Sequence, residues 1–173
     1  MRSWWLDEQA HAGPEHLDAG YVAGYDRKAG FDPTEDIEAL RRHGLGPDSL
    51  VVVIGAGTGT FAVSAAPLCR WLVAVDVSPA MTAALRTRIE RLGLDNVTVV
   101  DAGFLSYVHD GEPADVVFTR NALHQVPDFW KGIALERIAS FCVPTARCGC
   151  VTWCSTLRPT RPRSASRPGC RGP

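Results

Sequence analysis

The chain has 173 residues, 46% of them hydrophobic, 21% charged and 8% aromatic, which fits one globular domain and excludes a fibrous or wholly disordered protein. A chain of this size buries about 68–70% of the surface its unfolded state exposes, so a core forms without metal or disulfide staples. Its net charge of −1 argues against a protein held on nucleic acid by phosphate neutralisation.

The first 46 residues read as a polar, helical cap or lid, with Trp4, Trp5, Leu6, Leu17, Tyr21, Val22, Tyr25 and Phe31 as its apolar members. No apolar stretch long enough for a signal peptide or a membrane span occurs here or further on, so a cytoplasmic location without a membrane partner is expected. Asp32-Pro33-Thr34-Glu35-Asp36 starts a helix that stops at Gly44. The 47–142 segment then changes character. Leu50 to Ile54 is continuously apolar and β-branched, the pattern of a strand buried on both faces. A glycine-rich turn and a helix from Phe61 to Leu68 follow. Trp71 to Val75 is a second buried strand ending on Asp76, and Ser78-Pro79 opens a helix that runs to Leu92 and is capped by Gly93. Val97 to Val100 and Ala114 to Phe118 read as strands three and four, and Phe129 to Phe141 as the next helix. This alternation predicts an α/β fold, a doubly wound Rossmann-like parallel sheet with helices on both faces. Right-handed crossovers put every strand's carboxyl end on one edge, so chemistry is expected after Ile54, Val75, Val100 and Phe118.

From residue 143 the composition breaks. Residues 1–142 hold 12 Lys and Arg against all 19 acids, a net charge of −7, whereas 143–173 hold six Arg, no acid, five prolines and four cysteines. An aberrant, disordered tail is expected there, with the last strands of the sheet missing or altered, although Cys150 to Cys154 could add one short strand. The Cys148, Cys150 and Cys154 spacing does not suit zinc, and no metal site is expected. Cys69 reads as a small core residue.

The candidate site begins at Gly55-Ala56-Gly57-Thr58-Gly59, where three glycines at a spacing of two allow a tight turn and a close ligand approach. Asp76 follows 21 residues after Gly55, placed to accept both hydroxyls of a ribose, or else to cap the helix after Ser78. A dinucleotide site wants its third glycine one position later, where Thr60 stands, so the spacing favours a nucleoside ligand without a pyrophosphate.

Three segments, Val51 to Gly59, Val73-Ala-Val-Asp-Val-Ser-Pro-Ala-Met81 and Asp115-Val-Val-Phe-Thr-Arg-Asn-Ala-Leu-His124, together resemble the class I S-adenosylmethionine-dependent methyltransferases. The likeness covers roughly residues 20–142 and is greatest to the small-molecule branch that includes ubiquinone and menaquinone biosynthesis enzymes. It implies that the glycine loop passes under the methionine part of S-adenosyl-L-methionine and that Asp76 holds the ribose. Val77 and Met81 would then border the adenine, with Ala102, Gly103 and Phe104 on its other side. Arg120 and Asn121 would face the sulfonium and the methionine carboxylate, and Tyr21 and Tyr25 would close over the cofactor or simply pack. An acid after strand three often takes the adenine amino group in that family, but Gly103 occupies this place and Asp101 stands two earlier. The family also usually has an acid two residues before the first glycine, where this chain has Val53, and weakened cofactor binding is expected. His124 is the candidate base, alternatively a polar pocket wall or a helix-start residue; His11 and His16 are weaker candidates, and His43 and His109 read as facing solvent. The resulting expectation is methyl transfer to a small-molecule acceptor. The alternatives are an NAD(P)-linked oxidoreductase and a non-catalytic nucleoside-binding remnant.

Overall fold

The computed structural model describes residues 5–142 and the backbone of Val151–Trp153. Four helical pieces precede the sheet in the N-terminal strap: two single 3-10 turns at Gln9–His11 and Pro14–Leu17, then α1 (Ala19–Val22) and α2 (Tyr25–Ala29). Next comes α3 (Thr34–Arg42), whose first turn is fixed by the Asp32 carboxylate accepting from both the N–H and the hydroxyl of Thr34.

The sheet is parallel throughout, in the order β3-β2-β1-β4-β5. Its strands are β1 (Leu50–Ile54), β2 (Trp71–Asp76), β3 (Val97–Asp101), β4 (Val116–Arg120) and β5 (Val151–Trp153). The order reverses beside β1, so the crevice above β1 and β4 is where a ligand of such a sheet binds. Helices α4 (Thr60–Ala65), α5 (Pro79–Leu92) and α6 (Asp128–Ser140) complete the alternation.

Alternation along β1 splits the core in two. Val51 and Val53 face Leu40, Leu45, Phe61 and Leu85, while Val52 and Ile54 face Phe104, Leu105, Val126 and Ile138. All four β1 residues from 51 to 54 are at most 1% exposed, and burying each side chain contributes about 1.5–3 kcal/mol. Across the first layer the rings of Phe61 and Phe118 stack with centroids 3.7 Å apart. Cys69 is buried as expected, and burial pushes its thiol up to about 11, so it stays protonated.

Several expectations shift by a turn or less. The helix after the glycine loop ends at Ala65 and continues as a 3-10 turn over Ala66–Leu68, because Pro67 cannot supply the next helical N–H. Strand four starts at Val116; Ala114 makes an isolated bridge to Cys142, and the Asp115 carboxylate accepts from the Leu50 N–H at 2.8 Å. Within the 1–46 segment expected as a cap, Leu40 and Leu45 belong to the core itself. His109 is not solvent-facing: it is half-buried between the Tyr107 hydroxyl at 2.8 Å and the Glu112 carbonyl at 2.7 Å. The short strand allowed at 150–154 forms as β5 and pairs with Phe118 to Arg120, so that stretch of β4 is not a bare edge. The remainder of the expected tail lies outside the described residues.

Candidate functional site

The carboxyl ends of β1, β2, β3 and β4 converge on one cavity of about 710 Å³, counting its open mouth. Its floor is the bend after β1. Gly55, Gly57 and Gly59 all adopt positive φ, 76°, 57° and 86°, which an L side chain rarely tolerates. A Cβ on Gly55 would lie 2.2 Å from the Cβ of Ala122 after β4, so the bend can approach that turn only with glycine there. Gly59 lines no part of the cavity; a Cβ on it would lie 2.1 Å from Cδ1 of the buried Leu85, and its role is to seat α4 against α5. Gly59→Ala is therefore expected to lower stability by about 2 kcal/mol, read as a reduced denaturant midpoint at unchanged slope.

Asp76 ties this bend to β2. Its Oδ2 accepts from the Gly57 N–H at 2.7 Å and its Oδ1 from the Ser78 N–H at 2.9 Å. The Ser78 side chain caps α5 by accepting from the Met81 N–H. Asp76 thus does take part in the turn before α5, but it also faces the cavity and holds the glycine bend. Burial pushes its carboxyl above the ordinary carboxylate range, against the opposing pull of the Ser78 and Gly57 N–H groups.

Val77 and Met81 stand beside Asp76, and Ala102, Gly103 and Phe104 form the wall after β3, all on the same cavity. Arg120, Asn121 and Tyr25 complete the expected set. Asn121 adopts φ 52°, a left-handed conformation in a residue other than glycine, at the mouth where β4 ends. Arg120 is not free to serve a ligand alone: its Nη1 lies 2.5 Å from the buried Asp36 carboxylate and its guanidinium sits 4.5 Å above the Phe31 ring. Tyr25 keeps its phenol protonated more firmly than usual, through burial and then the nearby Tyr21, Asp76 and Asp26.

Other expected residues fall elsewhere. Ala56 and Thr58 line an adjoining cavity together with Val53, and the two cavities share Tyr25, Gly55, Gly57, Arg120 and Asn121. The Thr58 hydroxyl donates to Asp26, which also pairs with Arg88 at 2.9 Å. Tyr21 packs against His16, Tyr25 and the Lys28 ammonium and lines neither cavity. His124 is exposed on the Leu123–Gln125 turn and also lines neither. Among the described residues no cluster of His, Cys, Asp and Glu could hold a metal ion.

Residues 51–145, more than half of the chain, match the family model described as a methyltransferase domain. The chain belongs to this family. No protein with a curated description matches it by sequence. Among solved structures, magnesium protoporphyrin IX methyltransferase from Synechocystis, with bound SAM, is 18% identical at a TM-score of 0.65, over 82% of this chain and 74% of that one. The DhpI-SAM-HEP complex is 27% identical at 0.58, over 83% and 64%. YcgJ from Bacillus subtilis is 22% identical at 0.52, over 58% and 43%. The chain therefore spans less than two thirds of the length of two of these three.

In this methyltransferase domain the residues that motif reading overlooks come from the strap and from the turn after β4. Leu6, Glu8, Ala12, Gln125 and Val126 line the cavity, and so do His11 and His16, the two weaker candidates. The His16 Nδ1 lies 2.7 Å from the Ala12 carbonyl oxygen and 3.3 Å from the Gln125 side-chain Nε2. The Ser78 hydroxyl donates to the His16 carbonyl at 2.6 Å, tying strap to sheet edge. No local period or motif announces these residues, because their place is set by contacts across some 60 to 110 positions of chain. No helix among the described residues is long and apolar enough to cross a membrane.

Proposed function

We propose that this chain binds S-adenosylmethionine in the main cavity and transfers its methyl group to a small-molecule acceptor. One observation carries the reading: the Asp76 carboxylate reaches the glycine bend and faces the same cavity, so a sugar diol and a chain running over the bend can be held together. The residues present fit the cofactor. Asp76 keeps acceptor capacity beyond its two N–H partners, and Val77, Met81 and Phe104 offer apolar walls to a base. When bound, S-adenosylmethionine supplies an electrophilic methyl on a sulfonium. The protein's part is positioning: Asp76 and the bend fix the cofactor, and the strap residues Leu6, Ala12 and His16 cover it from water. In-line displacement needs a base only where the acceptor must lose a proton, so the exposed place of His124 does not conflict with this function. The N-terminal segment serves as the cap, and the acceptor is a small molecule rather than nucleic acid, in keeping with the negative charge of residues 1–142.

Titration calorimetry with S-adenosylmethionine, S-adenosylhomocysteine and NAD tests the proposal. Saturable binding of the first two is expected; binding of NAD alone would overturn it, and binding without product from any acceptor would favour the non-catalytic reading. Acidification adds a second check. Because the folded carboxyl of Asp76 titrates above its unfolded value, ionised Asp76 costs stability at neutral pH, and that cost is relieved as the pH falls through the folded value. Ligand affinity runs the other way: the ionised carboxylate is the acceptor for the ribose, so S-adenosylhomocysteine binding is expected to weaken at a pH above the ordinary carboxylate value of 3.8. An affinity flat down to that value would count against Asp76 as the ribose partner.

A further inference from the structure

The wall after β3 carries a carboxylate that no strand supplies. Glu8 belongs to the N-terminal strap, 97 positions before Leu105, and lines the main cavity. Its Oε1 accepts from the Leu105 N–H at 2.9 Å, and its Oε2 accepts from the Ser106 N–H at 2.9 Å and the Ser106 hydroxyl at 2.8 Å. A Cβ built on Gly103 would lie 2.4 Å from Oε1 and 2.6 Å from Cδ of Glu8, so this carboxylate fills the volume in which a side chain at 103 would begin. Asp101, the nearest acid on β3, is committed elsewhere, with Oδ2 2.9 Å from Arg86 Nη2 and Oδ1 accepting from the Thr82 hydroxyl. It does not line the cavity.

A carboxylate offers about four acceptor positions, and Glu8 uses three, two of them on Oε2. One position remains on Oε1, and Val77, Met81 and Phe104 give the cavity that Glu8 lines the walls of an apolar slot. Such a slot selects a flat heteroaromatic ring bearing an exocyclic N–H donor and disfavours one bearing a carbonyl, whose lone pairs would oppose the carboxylate. Resting on the function proposed above, we propose that Glu8 reads the 6-amino group of the cofactor's base. Because Glu8 is carried by the strap and not by the sheet, reading the base and closing the strap are one event: a correct base adds a bond to the latch that holds residues 5–12 against the 103–106 turn.

The experiment uses the full chain and two ligands, S-adenosylhomocysteine and its 6-oxo analogue S-inosylhomocysteine. Calorimetry is expected to give about tenfold or more tighter binding of the 6-amino ligand. Hydrogen exchange should show the amides of residues 5–12 protected by it and not by the analogue. In Glu8→Gln the side-chain amide can donate to the 6-oxo group, so the preference is expected to vanish or reverse, which a merely structural role for Glu8 would not produce. The double variant Glu8→Ala with Gly103→Asp moves the acid to the sheet; it is expected to regain the 6-amino preference while losing ligand-dependent protection of the strap. Equal affinities in the unaltered protein, or an undiminished preference in Glu8→Gln, would overturn the inference. Binding of neither ligand would overturn the cofactor assignment itself, and the inference with it.

Discussion

Replacing Asp76 with alanine is expected to weaken S-adenosylhomocysteine binding by about two orders of magnitude or more, with the fold retained. Two contributions are lost together. The carboxylate is the acceptor proposed for the ribose hydroxyls, and hydrogen bonds to a charged group contribute about 1.5–3 kcal/mol each. It is also the group that holds the Gly57 and Ser78 N–H groups, so without it the bend loses the tie that presents its backbone to the ligand. The stability loss is smaller, because ionised Asp76 sits in a desolvated place that opposes its own charge. Asp76→Asn should fall between the two proteins: its amide oxygen can satisfy one N–H, and its amide nitrogen opposes the other. Calorimetric titration measures the affinity and circular dichroism the fold. An alanine variant that binds within about threefold of the parent would remove Asp76 from the site.

Val53→Asp is expected to act in the opposite direction, tightening S-adenosylhomocysteine by about ten- to a hundredfold while lowering thermal stability. Val53 is 1% exposed, pairs in register with Ala74 and Phe118, and lines the cavity that adjoins the main one through Gly55 and Gly57. No carboxylate stands at this point of β1, so nothing on that strand answers the ammonium of a methionine tail lying over the bend. A carboxylate there would make a charge-assisted hydrogen bond to the ligand, and in the free protein it would be a buried acid among Phe61 and Phe118. Affinity and stability therefore move apart, and both are measurable on one preparation. A variant that folds and shows no tightening would show that the methionine end does not lie over Val53.

The sheet was legible because its signals are local. A short β-branched run with no polar interruption, ended by a glycine turn, reads as a strand buried on both faces, and Val51, Val52, Val53 and Ile54 divide between the two core layers as such a strand must. Ser78, Pro79 and Gly93 bound α5 at the expected residues for equally local reasons of capping and φ. Asp76 was readable from its place at a strand end. The chain's pattern pointed to a cap within the first 46 residues but not to most of the residues through which it reaches the cavity. Glu8 and His16 take their positions from partners such as Leu105 and Ser78, far along the chain, and their own neighbourhood is a polar strap with no period. The place of His124 was hidden for the converse reason: its short distance from Asn121 in sequence suggested proximity to the site, yet on the Leu123–Gln125 turn it is exposed and lines neither cavity. The glycine loop was half legible. Its spacing identified a tight bend, but only the packing against Leu85 separates Gly59, which serves the fold, from Gly55 and Gly57, which serve the cavity.

A crystal structure of the full chain grown with S-adenosylhomocysteine tests the central claim most directly. The ribose hydroxyls are expected within hydrogen-bond reach of the Asp76 carboxylate, with the base between Met81 and Phe104 and the amino acid tail over Gly55 and Gly57. Ligand density seated away from Asp76, or a cavity closed by the protein's own strap with the ligand bound elsewhere, would contradict it.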